Sequence, residues 1–313
     1  MFKIFVSMNH IKIWASQWTR QAALRRAIPP VVFHGYMRYL AHHGVTSYAI
    51  SARRHGTSWH PSFLKMLYAT TRRDLADDVV AGIGGRAGVG GGGGLSQFIL
   101  SEGDVRVKGL GLLGAIPGTG SFSVYVNWWF LDPWFNIRML LHGRHSNSPL
   151  SHPFLIRQAF FSRDYPDDKL AEFQSHLNSF ESFLWPLGMI FHFADPTKVL
   201  RSITGWGAGN SNRVLIMAGA EERLMNKPVQ EKTAETYRAA FSELARDTKF
   251  EAQDDVIHPL PGEGGVDSVG HGVELAWVPG AGHHLQNDTT WEIGAEKLLA
   301  YLFTLFAACC LGV

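Results

Sequence analysis

Arg213-Val214-Leu215-Ile216-Met217-Ala218-Gly219 opens on arginine and then runs apolar to a closing glycine. A strand with one wet face alternates apolar and polar side chains, whereas a strand covered on both faces does not. This stretch therefore reads as a strand buried on both sides. The same signature recurs at residues 107–116, bounded by Gly and Pro, and residues 273–278 read as another strand. Helical patterns lie between: residues 75–83 with Asp74 as N-cap, the amphipathic residues 229–246, and residues 291–306. Upstream, residues 30–35 read as a short buried strand ending in a loop, 36–43 as a helix and 47–51 as a second strand. Strand and helix in alternation, with unalternating strands, predict an α/β fold: a mostly parallel sheet with helices on both faces.

Between Ser121 and Gly209 the rhythm changes. The stretch is rich in Trp, Phe, His and Pro, as in Asn127-Trp128-Trp129-Phe130 and Phe183-Leu184-Trp185-Pro186. It reads as a helical cap insertion over the sheet, lining a pocket for a small apolar molecule. The same aromatics also read as the cap's own core.

With 313 residues, 46% hydrophobic, the chain suits one domain over residues 31–313 behind an N-terminal extension, 1–30. Charged residues are only 18% and the net charge is +2, which argues against nucleic acid or another polyanion as partner. No acid precedes Asp74. Residues 1–26 fit either a mitochondrial transit segment or an ordinary extension, so the expected compartment is cytoplasmic with mitochondrial as the alternative. The only cysteines, Cys309 and Cys310, are adjacent, which excludes a disulfide framework or a CxxC metal site and suits a reducing compartment. The last four residues fit a prenylation box loosely, with Gly312 against it. Residues 298–313 are apolar but short for a membrane span, so no stable membrane insertion is expected. His42-His43 and His283-His284 are adjacent pairs whose side chains diverge, so no metal site is expected, and no cofactor. The glycine run at 84–94 lacks the GK[S/T] ending of a phosphate loop.

Four motifs together resemble the α/β-hydrolase superfamily of esterases, lipases and their relatives. Phe33-His34-Gly35 is similar to the strand-end HG motif before the oxyanion loop. Ala52-Arg53-Arg54-His55-Gly56-Thr57-Ser58 is similar to the R-G-H-G-x-S turn, with Arg54 in place of the first Gly. Gly219-Ala220-Glu221-Glu222-Arg223-Leu224-Met225 resembles the acid loop, and Pro279-Gly280-Ala281-Gly282-His283-His284 resembles the histidine loop, the most specific match of the four. The resemblance implies hydrolysis of an ester or similar acyl bond without a cofactor. It makes His283 the acid–base group and Glu222 its partner, with the neighbouring Glu221 leaving that assignment open and Asp132 in reserve. Backbone N–H groups of Tyr36 and Gly91 become the oxyanion donors.

The nucleophile is missing. The family elbow is G-x-S-x-G, and Gly88-Val89-Gly90-Gly91-Gly92 fills it, with Gly90 at the serine position. Ser96 lies more than a helical turn further on and does not reach the same point. The interval before the elbow, Gly84-Gly85-Arg86-Ala87, offers almost nothing to bury where a central strand belongs. The interval between Gly35 and Leu40 is likewise too short for an oxyanion loop. Three readings fit these gaps: a coding sequence that has lost the exons for both elements, a pseudoenzyme that binds a ligand or partner in the same pocket, and a serine-independent lyase or cyclase using His283.

Overall fold

The computed structural model of the protein describes residues 3–6, 34–50, 53, 58–83, 89–91, 93–142, 150, 152–175, 177, 181–206, 212–248 and 256–310. The strand expected at 30–33, most of the Arg-Gly-type turn (54–57), the interval 84–88 and the last three residues lie outside the described residues. One sheet holds β1 (Lys3–Val6), β2 (Ser47–Ile50), β3 (Val89–Gly91), β4 (Gly109–Leu113), β5 (Val214–Gly219), β6 (His258–Leu260), β7 (Asp267–Gly270) and β8 (Val273–Val278). Their spatial order is β2-β1-β3-β4-β5-β8-β7-β6. β1 runs against both its neighbours and so does β7; every other strand shares one direction, with β3, β4, β5 and β8 a continuous parallel block. The sheet is mostly parallel, as the sequence pattern predicts.

Successive side chains of β5 enter opposite layers. Val214, Ile216 and Ala218 join α3 (Arg72–Ile83), α4 (Gly93–Glu102), α10 (Pro196–Arg201) and α11 (Lys227–Thr248). Leu215 and Met217 join α1 (His34–His42) and α12 (Trp291–Cys310) on the other side. All six residues of β5 are buried, which is why the run carries no polar alternation. Each large aliphatic side chain so enclosed contributes about 1.5–3 kcal/mol. No helix among the described residues is long and apolar enough to cross a membrane.

Three local readings differ from what is seen. Lys3–Val6, placed with the N-terminal extension, is a strand inside the sheet between β2 and β3; four isolated residues carry too little pattern to be distinguished from an extension. Asp74 is not the N-cap but sits three residues after it: Thr71 N–H and Oγ1–H both donate to Asp74 Oδ2 (2.8 and 2.6 Å) while Asp74 N–H donates to Thr71 Oγ1 (3.2 Å). That reciprocal capping box starts the helix a turn earlier, at Arg72. His34 and Gly35 open α1 instead of ending a strand.

Among the described residues between 121 and 209 lie α5 (Phe122–Leu131), α6 (Phe135–Leu141), α7 (Pro153–Phe160), α8 (Asp167–Ser175), α9 (Leu184–Leu187) and α10. The last of these packs on α4 and α11, in the layer that covers the sheet. Between β2 and α2 (Phe63–Ala69), Arg53 clamps Asp78 through Nε and Nη2 (2.9 and 3.0 Å) and also reaches Asp74 (3.3 Å).

Candidate active site

The site is built where β5 and β8 end side by side, Gly219 opposite Val278 in the parallel register. Two loops leave that edge. The first, after β5, is held by Ala220 N–H to Val278 O (2.8 Å) and Glu221 N–H to Ala281 O (2.9 Å). The second, after β8, turns at Gly280 with φ +60°, a left-handed conformation that glycine adopts without strain. Gly219 lets the two touch, for a Cβ there would lie 2.1 Å from Ala281 O and 2.3 Å from Gly282 O.

On these loops His283 Nδ1 meets Glu222 Oε2 at 2.7 Å. The Glu222 side chain has no solvent exposure. Its second oxygen accepts the backbone N–H of Leu224 (2.8 Å) and Met225 (3.1 Å), which fixes the carboxylate before the imidazole arrives. Glu221 is turned away, accepting the N–H of Arg163 at 3.2 Å. Burial opposes charge on His283, but the facing Glu222 charge and its hydrogen bond outweigh it and raise the imidazole pKa above the ordinary value. The ring stacks on Phe160 with centroids 5.7 Å apart. It also lies against Gly114 at the end of β4, where a Cβ would come within 3.2 Å of Nδ1.

The remaining residues singled out from sequence lie elsewhere. Asp132 ends α5 and pairs with Arg138. Tyr36 is fully buried in the first turn of α1, against Gly294 of α12. Gly91 ends β3 opposite Gly111, and Gly90 pairs with Leu110. Gly114, beneath the imidazole, is four residues beyond Leu110, so Gly90 lies about 13 Å lower along the strand direction at about 3.3 Å per residue. Val89–Gly91 thus forms a strand within the sheet, below the level of the imidazole. Ser96 is buried in the first turn of α4, and its Oγ has no hydrogen-bond partner among the described residues.

Three supports were not legible beforehand. Gln97, fully buried, donates to Ile116 O (2.7 Å) and accepts from Gly118 N–H (2.9 Å) and Tyr237 OH (3.0 Å), fixing the segment that leaves β4. A small cavity bordered by Gln97, Gly118, Thr233 and Tyr237 lies on that side, and His283 is not part of its lining. His284 is enclosed by Phe160, Phe161 and Phe173, and burial, then the neighbouring His283, holds its pKa well below the ordinary value. Asp288 gathers the backbone N–H of Gly282 in the histidine loop and of Ser162 just after α7. Only a contact between distant segments reveals any of the three. Among the described residues no group of three or more His, Cys, Asp or Glu side chains is arranged to hold a metal ion.

No family model and no curated protein matches the chain. Solved structures do match over most of its length. A thermophilic esterase from Thermogutta terrifontis, with malate bound, superposes with a TM-score of 0.53 at 15% identity, covering 88% of this chain and 85% of that one. The loop variant DbeA-M1 of a haloalkane dehalogenase from Bradyrhizobium elkanii gives 0.54 at 14% identity, covering 89% and 86%. The enol-lactonase from Burkholderia xenovorans LB400 gives 0.50 at 12% identity, covering 87% and 86%. At such identities the likeness is one of fold.

Proposed function

Since the chain has the α/β-hydrolase fold, we propose that it receives an ester or similar acyl compound of a small apolar molecule at His283, with Glu222 as the partner of that imidazole and no serine to form an acyl-enzyme. The observation that carries this reading is the 2.7 Å contact of His283 Nδ1 with a carboxylate whose other oxygen is already engaged by two N–H donors. An imidazole that donates from Nδ1 keeps its lone pair on Nε2, the atom that takes up a proton. Glu222 then stabilises the imidazolium that results. Nothing at Gly90 supplies an oxygen for attack, so proton transfer to and from a bound molecule or water is the chemistry left to the pair. The esterase and the enol-lactonase among the fold relatives favour an acyl compound, by analogy of scaffold.

The purified protein is expected to remain unlabelled by a fluorophosphonate probe and to show no burst with a short-chain aryl ester. A trifluoromethyl ketone analogue of that ester is expected to shift the His283 imidazole resonance saturably. Covalent labelling of the wild type that disappears in His283→Ala would expose a nucleophile and overturn the reading. An imidazole indifferent to the ketone would remove the ligand site.

Gly90→Ser is a sharper check. Because the β3 register sets residue 90 level with Leu110, the new hydroxyl is expected to gain no fluorophosphonate labelling above the wild type. Labelling that depends on His283 would place residue 90 at the strand tip after all.

A further inference from the structure

We infer that Asp288 is the positioning residue of this site, tying the histidine loop to the chain just after α7 so that His283 is held with Nδ1 on Glu222. The inference rests on reading His283 and Glu222 as the acid–base pair. Asp288 is 1% exposed, yet among the described residues none of its hydrogen-bond donors is a charged side chain. Oδ2 accepts the backbone N–H of Gly282 and of Ser162, both at 2.8 Å. Oδ1 accepts the Ser162 hydroxyl at 2.6 Å and the Thr289 N–H at 2.8 Å. Four short donors engage both carboxylate oxygens, which is the full complement of such a group.

The partners explain why a carboxylate is spent there. Gly282 immediately precedes His283 in the chain. Ser162 follows two residues after Phe160, whose ring stacks on His283 and whose carbonyl accepts the His284 N–H at 2.8 Å. Asp288 and Phe160 therefore clamp the same two segments, 126 residues apart in sequence, from opposite ends. Gly282 is the contact point: a Cβ there would lie 2.7 Å from the carbonyl carbon of Phe161. Without Asp288, Gly282 itself loses its side-chain tie; the loop is then held on either side of it, by Glu221 N–H on Ala281 O and His284 N–H on Phe160 O, and the imidazole gains freedom to turn off Glu222.

The test is the titration and Nδ1 proton signal of His283, followed by nuclear magnetic resonance in the full-length protein. Wild type is expected to show a raised pKa and a slowly exchanging, downfield Nδ1 proton. In Asp288→Asn one oxygen becomes an amide N–H₂ facing backbone donors; the Nδ1 signal is expected to vanish and the pKa to fall. Ser162→Ala, which removes a single hydroxyl, is expected to weaken the signal in the same direction, and it decides the matter if Asp288→Asn does not fold. Val199→Ala, a core truncation in α10, is expected to destabilise the protein while leaving both readouts unchanged, so a general loss of stability is distinguished from a loss of position. Unchanged signals in Asp288→Asn, or in Ser162→Ala where that variant decides, would overturn the positioning role alone. A wild type lacking the Nδ1 signal would overturn the acid–base pair and this inference with it.

Discussion

Replacing Gly219 with alanine is expected to unseat the histidine loop and to cost about 3 kcal/mol, the upper end of the usual penalty for overpacking. The Cβ of residue 219 would lie 2.1 Å from Ala281 O, 2.3 Å from Gly282 O and 2.5 Å from the carbonyl carbon of Ala281. All three are backbone atoms, so no side-chain rotation relieves the contact. The loop must move away from β5, and the hydrogen bond from Glu221 N–H to Ala281 O stretches with it. Calorimetry should show a Tm lower by roughly 6 °C, taking about 2 °C per kcal/mol for a domain of this size. The His283 Nδ1 signal should be lost as well. A Tm within about 1 °C of wild type, with that signal intact, would mean the loop slides outward as a unit and its seat on β5 matters little.

The second large effect concerns the sign of a pH dependence. In the wild type, burial lowers and Glu222 raises the pKa of His283, with Glu222 prevailing. The folded protein then binds the imidazole proton more tightly than the unfolded chain. Stability from this group is fully present below the unfolded value of about 6.5 and is lost as pH rises through the folded pKa. Glu222→Gln keeps the shape of the side chain and an oxygen for the Leu224 and Met225 N–H groups, but removes the charge. Burial is left unopposed, the folded pKa drops below the unfolded one, and the contribution changes sign, so that acidification now destabilises. Urea unfolding followed across the imidazole range, with His283→Ala as the reference in each background, isolates this term from every other titrating group. Parallel pH profiles for the two backgrounds would show that Glu222 does not set the charge of His283.

What was readable in advance follows from how much local pattern each element carries. β5 is an unbroken apolar run in a fully covered part of the sheet, β8 is apolar but for Glu274, and α11 repeats its apolar face over 22 residues, so composition alone exposes them. His283 stood out because a glycine-rich loop directly follows β8, and Glu222 because it comes just after β5. β6 was not legible because all three of its residues are exposed and one of them is proline. β3 was invisible for the opposite reason, since two of its three residues are glycine and its place is dictated by the register of β4. Asp288 lies on a loop that reads as ordinary polar sequence. Its role depends on Ser162, and no one-dimensional pattern joins the two.

β4 and β5 are hydrogen-bonded neighbours in the sheet, yet all of the helices from α5 to α10 lie between them in the chain. The sheet closes across that excursion, and the entropic cost of such a closure grows only logarithmically, by about 0.6 kcal/mol for each doubling of its length. The length and shape of the excursion can therefore drift over evolutionary time while the strand register beneath it stays put. Phe160 and Ser162 limit that freedom. Any segment grafted in place of the present one must bring its own aromatic ring and its own hydroxyl to the same two points, or the imidazole loses its bearings even though the sheet is intact.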